Sequence, residues 1–191
     1  MTGQTHDLAA FTALSYVALT QPLNKMTLAT ALVALGANLI GGLTPDIDQP
    51  TAALWNRIPA GPVISRIFAP ILGGHRFISH SLIGVAIFGI GTHYLLKIVN
   101  TVLLVDMHVV WWAFMIGFVS HLVMDMLTRE GVPWLFPIPF YFGIPPLRFM
   151  RIKAGGMVEK SIIFPGLMAL NGFMYYHYYG KVLEFLRHYV K

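Results

Sequence analysis

The sequence predicts an all-α integral membrane protein, a bundle of about five transmembrane helices joined by proline-rich interfacial linkers. Apolar residues make up 56% of the 191 positions and charged residues only 11%. A soluble domain carries about 25% charged residues, so less than half the supply needed for a water-facing surface is present. Mean hydropathy is +0.66. Apolar stretches near the roughly 20 residues needed to cross a bilayer core about 30 Å thick recur along the chain. The length suits one domain, residues 1–191.

In chain order, the first apolar stretch is Leu8–Leu23, short and interrupted by Ser15, Gln21 and Pro22. A cleaved signal peptide opens on basic residues, whereas the first basic residue here is Lys25, so the stretch reads as a retained helix. Met26–Leu43 is the second span. The linker Thr44–Gly74 follows, and its Leu54–Leu72 portion mixes Trp55, Ile58, Ile64, Ile67 and Phe68 with Arg57 and Arg66, a pattern for lying in the interface. Ile78–Leu96 and Met107–Leu127 are the third and fourth spans. In the second linker, Thr128–Lys160, five prolines from Pro133 to Pro146 forbid a regular helix. Trp134, Phe136, Phe140, Tyr141 and Phe142 make it too apolar for water, so it belongs at headgroup depth or against protein. Ser161–Tyr179 is the fifth span.

Five spans put the N-terminus and both linkers on one side, with Arg57, Arg66, Arg76, Arg129, Arg148, Arg151, Lys153 and Lys160. The other side has Lys25, Lys97, Lys181, Arg187 and Lys191. The excess assigns the first side to the cytoplasm. The net charge of +5 is scattered beside apolar segments, which suits membrane lipids as partners and no nucleic acid.

Ionisable side chains are costly in a bilayer, so those at span ends are candidates for function. His6 opens span one, Asp46 and Asp48 follow span two, His75 and His80 open span three, and His121 and Asp125 close span four. All fall on one membrane side, although apolar periodicity does not demand it. His121 and Asp125, four apart on a helix, share a face, and Asp46 and Asp48 point the same way if extended. Without cysteine, imidazole and carboxylate suit zinc first, with manganese or iron as alternatives, as one or two divalent ions. The competing readings are a hydrogen-bonded His–Asp pair and turn or cap roles for Asp46 and Asp48. Arg76 is placed to clamp a phosphate or a developing oxyanion, or else to snorkel to headgroups. Ser79 and Ser81 flank His80, but no neighbouring acid completes a nucleophilic triad. His93, Asp106 and His108 fall on the opposite side as interfacial or loop residues, and His177 belongs to an aromatic belt.

Gly41–Asp48 (GGLTPDID), His75–Ser81 (HRFISHS) and His121–Val132 (HLVMDMLTREGV) together resemble the YdjM-like family of bacteria, LexA-binding, inner-membrane-associated metal-dependent hydrolases. The order and spacing match from about His6 to Pro137. Phe77 stands where that family usually has glycine, and Ser79 where it usually has threonine, which keeps the hydroxyl. The resemblance implies a metal site of His6, Asp46, Asp48, His75, His80, His121 and Asp125 in the bacterial inner membrane.

These readings lead to an expected metal-dependent hydrolase acting on a phosphoester or other ester of a lipid-like substrate. Arg76 would offset phosphoryl charge, and Asp48 or Asp125 would take the proton of water. The alternative is a non-catalytic metal-binding membrane protein, with a structural metal or a transported ion. Against transport, the ionisable residues crowd helix ends rather than the midplane, and no repeat is visible.

Overall fold

A computed structural model describes residues 1–21, 26–52 and 77–190, together with residues 55, 59, 61, 63, 65 and 66. Among these residues the regular structure is helical. The helices are α1 (Gly3–Thr20), α2 (Leu28–Leu43), α3 (Leu82–Val99), α4 (Met107–Met126), α5 (Phe164–His177) and α6 (Tyr179–Val190). A short 3-10 segment, Thr44–Asp48, continues α2, and a π-helical turn, Glu159–Ile163, leads into α5. Among the described residues three segments, rather than the expected five or so, are long and apolar enough to cross a membrane: Leu28–Asp48, Leu82–Val99 and Met107–Met126.

Helix starts follow local caps rather than the onset of apolar residues. Thr27 accepts a hydrogen bond from Thr30 N and starts α2, two residues later than the apolar run. Ser81 accepts from Gly84 N, so α3 begins at Leu82 instead of Ile78 and runs on to Val99. Asp106 accepts from His108 N and Val109 N to open α4, a capping role in place of the expected loop residue. The first helix departs most from expectation, covering Gly3–Thr20 rather than Leu8–Leu23. Its polar first turn is buried against the rest of the protein, where Thr5 and His6 are each 1% exposed. Hydropathy alone places such a turn outside the helix. The interfacial segment expected over Leu54–Leu72, with His75 and Arg76, lies largely or wholly outside the described residues.

Helix α4 is the hub, packing on α1, α2 and α3, while α5 packs on α1. The α2–α4 contact is a backbone approach. A Cβ on Gly117 would collide with the Asn38 carbonyl, and one on Gly41 with the Phe114 carbonyl. Small residues of this kind let helices meet where no water-driven force presses them together. Asn38 Nδ2 crosses the seam to donate to Ala113 O at 3.0 Å. Phe114, Met115, Phe118, Leu122 and Val132 form the core beside it.

The second linker is irregular, as its prolines require, and is pinned to the helix ends. Leu82 N donates to Trp134 O, Arg129 N to Ile152 O and Val132 N to Phe142 O. Gly131, with φ of 73°, makes the turn that follows α4. The Arg151 guanidinium donates to Pro145 O and Pro146 O at 2.7 and 2.9 Å.

Candidate metal centre

Helices α1, α3 and α5 start, and α2 and α4 end, at one end of the bundle, where polar side chains are enclosed. His6 comes from the first turn of α1, Asp46 and Asp48 from the segment after α2, and His80 from the turn before α3. The last turns of α4 supply His121 and Asp125. His6, Asp48, His80, His121 and Asp125 are at most 1% exposed, and the Asp46 side chain is 20% exposed.

Four atoms form a compact set. His80 Nε2 lies 3.6 Å from both Asp46 Oδ1 and Asp125 Oδ2. His121 Nε2 lies 3.5 Å from Asp46 Oδ1 and 3.7 Å from Asp125 Oδ2. These gaps are too long for good hydrogen bonds. Four ligands about 2.1 Å from an ion at tetrahedral angles stand about 3.4 Å apart, and these four separations are close to that value. Asp125 Oδ1 faces away from this set, 3.4 Å from His6 Nε2 and 2.8 Å from the Met1 amine. The His6 ring stacks on His121 with centroids 3.6 Å apart. Among the described residues, two three-residue groups are thus able to hold an ion, His6–His121–Asp125 and Asp46–His80–His121, and they share His121.

The donor set passes a stricter test at His121. Its Nδ1 is 2.7 Å from Gly42 O, and a carbonyl only accepts, so Nδ1 carries the proton. In the neutral ring Nε2 then presents a lone pair. That atom is buried, makes no hydrogen bond, and faces two carboxylates. A lone pair aimed at anions needs a proton or a metal ion between them. Gly42 is glycine for a related reason: a Cβ there would lie 2.9 Å from Ala10 Cβ, in the wall between α1 and α2.

Asp48, read from the sequence as a ligand or a base, places Oδ2 against the Nδ1 side of the His80 ring. Its Oδ2 accepts from Ser79 Oγ at 2.5 Å and lies 3.5 Å from His80 Nδ1, on the far side of the ring from Nε2. Ser79 Oγ is also 3.0 Å from His80 Nδ1. A chain from His80 Nδ1–H through the Ser79 hydroxyl to Asp48 fixes the ring with Nε2 toward the set, as carboxylates behind metal-binding histidines do. An acid therefore does neighbour Ser79. Ser79 is wholly buried and the bond order is not that of a nucleophilic triad, so serine catalysis gains nothing. Burial would push the His80 imidazole down. The carboxylates of Asp46, Asp48 and Asp125 outweigh it and hold its pKa above the ordinary 6.5.

Sequence reasoning missed Ser79 as a support, Gly42 as a hydrogen-bond acceptor, and Glu159. The motif spacing held a hint of Thr128, whose hydroxyl donates to Asp125 O at 2.8 Å and closes α4. His93 and His108, with Lys97 and Trp111, line a separate recess of about 380 Å³.

The family model described as YdjM inner membrane protein matches residues 1–182. The chain is 26% identical over 185 residues to uncharacterized protein YvsG of Bacillus subtilis, covering 95% of this chain and 99% of that protein. It is 34% identical over 128 residues to inner membrane protein YdjM of Escherichia coli, covering 63% of this chain and 56% of that protein. Inner membrane protein YdjM of Shigella flexneri matches to the same extent. No solved structure matches the chain significantly.

Proposed function

The chain belongs to the YdjM inner membrane protein family, and from that premise we propose that it is a membrane-embedded, metal-dependent hydrolase of an ester or phosphoester in a lipid-like substrate. What carries the reading is the buried convergence of His80, His121, Asp46 and Asp125 donor atoms at ligand spacing, from segments about 80 residues apart. In this proposal the bundle has five spans. Helix α1 and the Glu159–His177 segment, each near 28 Å long at 1.5 Å per residue, join the three apolar spans. The cluster then lies on the cytoplasmic face, the side with more basic residues.

One divalent ion, zinc before manganese or iron, fits the four-atom set, and His6 with Asp125 Oδ1 offers a place for a second. Such an ion supplies Lewis acidity and lowers the pKa of water from 15.7 to about 7. Asp46, the exposed carboxylate of the set, marks the side from which water and substrate reach the cluster. With a single ion bound, Asp125 Oδ1 would be left uncoordinated to accept the proton that the attacking water gives up, and Asp48 acts through Ser79 to hold His80 in register. Arg76 offsets charge on the phosphoryl oxygens, a role that its place beside His75 in the sequence suggests. His75 stays a candidate ligand on its place at the start of the third expected span and on the resemblance.

The second reading is a structural metal, favoured by the donor count, since closed sites use four protein ligands. Paired substitutions separate the two. Under hydrolysis, His121→Ala and Arg76→Ala both abolish turnover of a lipid phosphoester panel, and only His121→Ala lowers metal content. Under a structural metal, His121→Ala lowers thermal stability in detergent and Arg76→Ala is silent.

A further inference from the structure

Beside the metal cluster, a groove of about 940 Å³ runs between α1, α4 and α5. Its wall is nearly all hydrocarbon and aromatic. Ala9 and Met124 lie at the end nearest the cluster, one helical turn from His6 and next to Asp125 respectively. Ala13, Val119 and Leu170 line the middle, and Trp112 and Tyr178 line the far end. From Met124 to Trp112 the α4 wall is about 18 Å long at 1.5 Å per residue. One leaflet of a core about 30 Å thick is about 15 Å deep, so the groove has the depth of one leaflet.

The groove's walls are built into the fold. Asn171 Nδ2 donates to Thr12 Oγ1 at 2.7 Å, and the hydroxyls of Ser15 and Tyr175 are 3.0 Å apart. Both bonds tie α5 to α1 and set the separation of two walls. By contrast, the outward face of α3 presents Ile87, Ile90 and Ile98 at 54, 59 and 71% exposure, and none of these lines a described cavity.

We propose that this groove binds one acyl chain of an anionic amphiphile whose polar end lies at the His/Asp cluster. The inference deepens the hydrolase reading and rests on it for the polar end. Three observations single out a chain of a substrate rather than surrounding lipid. The near end is formed by chain neighbours of His6 and Asp125, the length matches one leaflet measured from that end, and the far end is lined by aromatic rings.

The test uses phosphatidic acid carrying a diazirine on a palmitoyl chain, with the whole protein in phosphatidylcholine nanodiscs loaded with zinc. After irradiation, adducts are mapped by peptide sequencing. They are expected on α1, α4 and α5 groove residues at about tenfold the level on the outward face of α3. Ala13→Phe and, separately, Val123→Trp fill the groove without touching the cluster. Either should cut groove adducts about tenfold while α3 adducts and zinc content stay unchanged. Diacylglycerol bearing the same diazirine chain, which lacks the phosphate, should label the groove less than phosphatidic acid does. Even labelling of all lipid-facing helices, undiminished groove labelling in both filled variants, or equal labelling by the two probes overturns the proposal. Groove labelling without turnover of any substrate would leave the binding site standing and remove the hydrolase reading. Turnover with even labelling would do the reverse.

Discussion

The ring orientation of His121 is set by a backbone carbonyl, that of Gly42, and the ring of His80 by a hydroxyl and the carboxylate behind it. Removing such support without removing a ligand lowers metal affinity by about 10–100-fold. Ser79→Ala is therefore expected to weaken zinc binding within that range, measured by competition with a chelating dye, while Ser79→Thr keeps it. His6, Asp46, His80, His121 and Asp125 were legible in the sequence because ionisable residues are scarce in apolar spans. Asp48 was legible as part of the cluster but not as a support, because its role depends on which side of the His80 ring it faces. Nothing in composition or spacing marks a glycine carbonyl as an acceptor.

Helices position these residues through two devices that hydropathy does not register. One is the glycine seam between α2 and α4. Gly117→Leu would force the helices apart and strain both the Asn38–Ala113 bond and the reach of His121 to Gly42. Overpacking of this kind costs about 1–3 kcal/mol, so a lower melting temperature in detergent and weaker zinc binding are expected together. The other device is Glu159, fully buried at the start of the π-helical turn. It accepts from Thr2 N and Oγ1, Thr5 Oγ1 and Gly155 N at 2.7–2.8 Å. An amide in its place offers one acceptor oxygen and two N–H donors to these four donor groups, so Glu159→Gln should melt lower than the parent in detergent. The helix boundaries missed from the sequence have the same origin: caps at Thr27, Ser81 and Asp106, and a polar first turn buried by α5's tether.

At the scale of the molecule, polar side chains are enclosed together with the apolar core while many large apolar ones face outward. Thr5, His6, Asn38, His80, His121 and Glu159 are inside, while Ile98, Phe173 and Tyr176 are 71, 64 and 84% exposed. That arrangement suits hydrocarbon as the surrounding solvent, and composition alone made it legible. The expected count of about five spans was less so: among the described residues three segments are long and apolar enough, whereas α1 carries polar residues that lower its hydropathy and α5 has only 14 residues. The chain has no cysteine, so single cysteines at Thr51 and Lys153 report topology cleanly. Both should be labelled from the cytoplasmic side only, and labelling from opposite sides would break the five-span arrangement. The cluster matters more than the span count, since every functional statement depends on its holding an ion. The direct measurement is zinc per protein by mass spectrometry after loading and gel filtration, for the parent and for His121→Ala. The account predicts one to two ions per chain in the parent and near none in the variant. No zinc in the parent, or full zinc in His121→Ala, would contradict it.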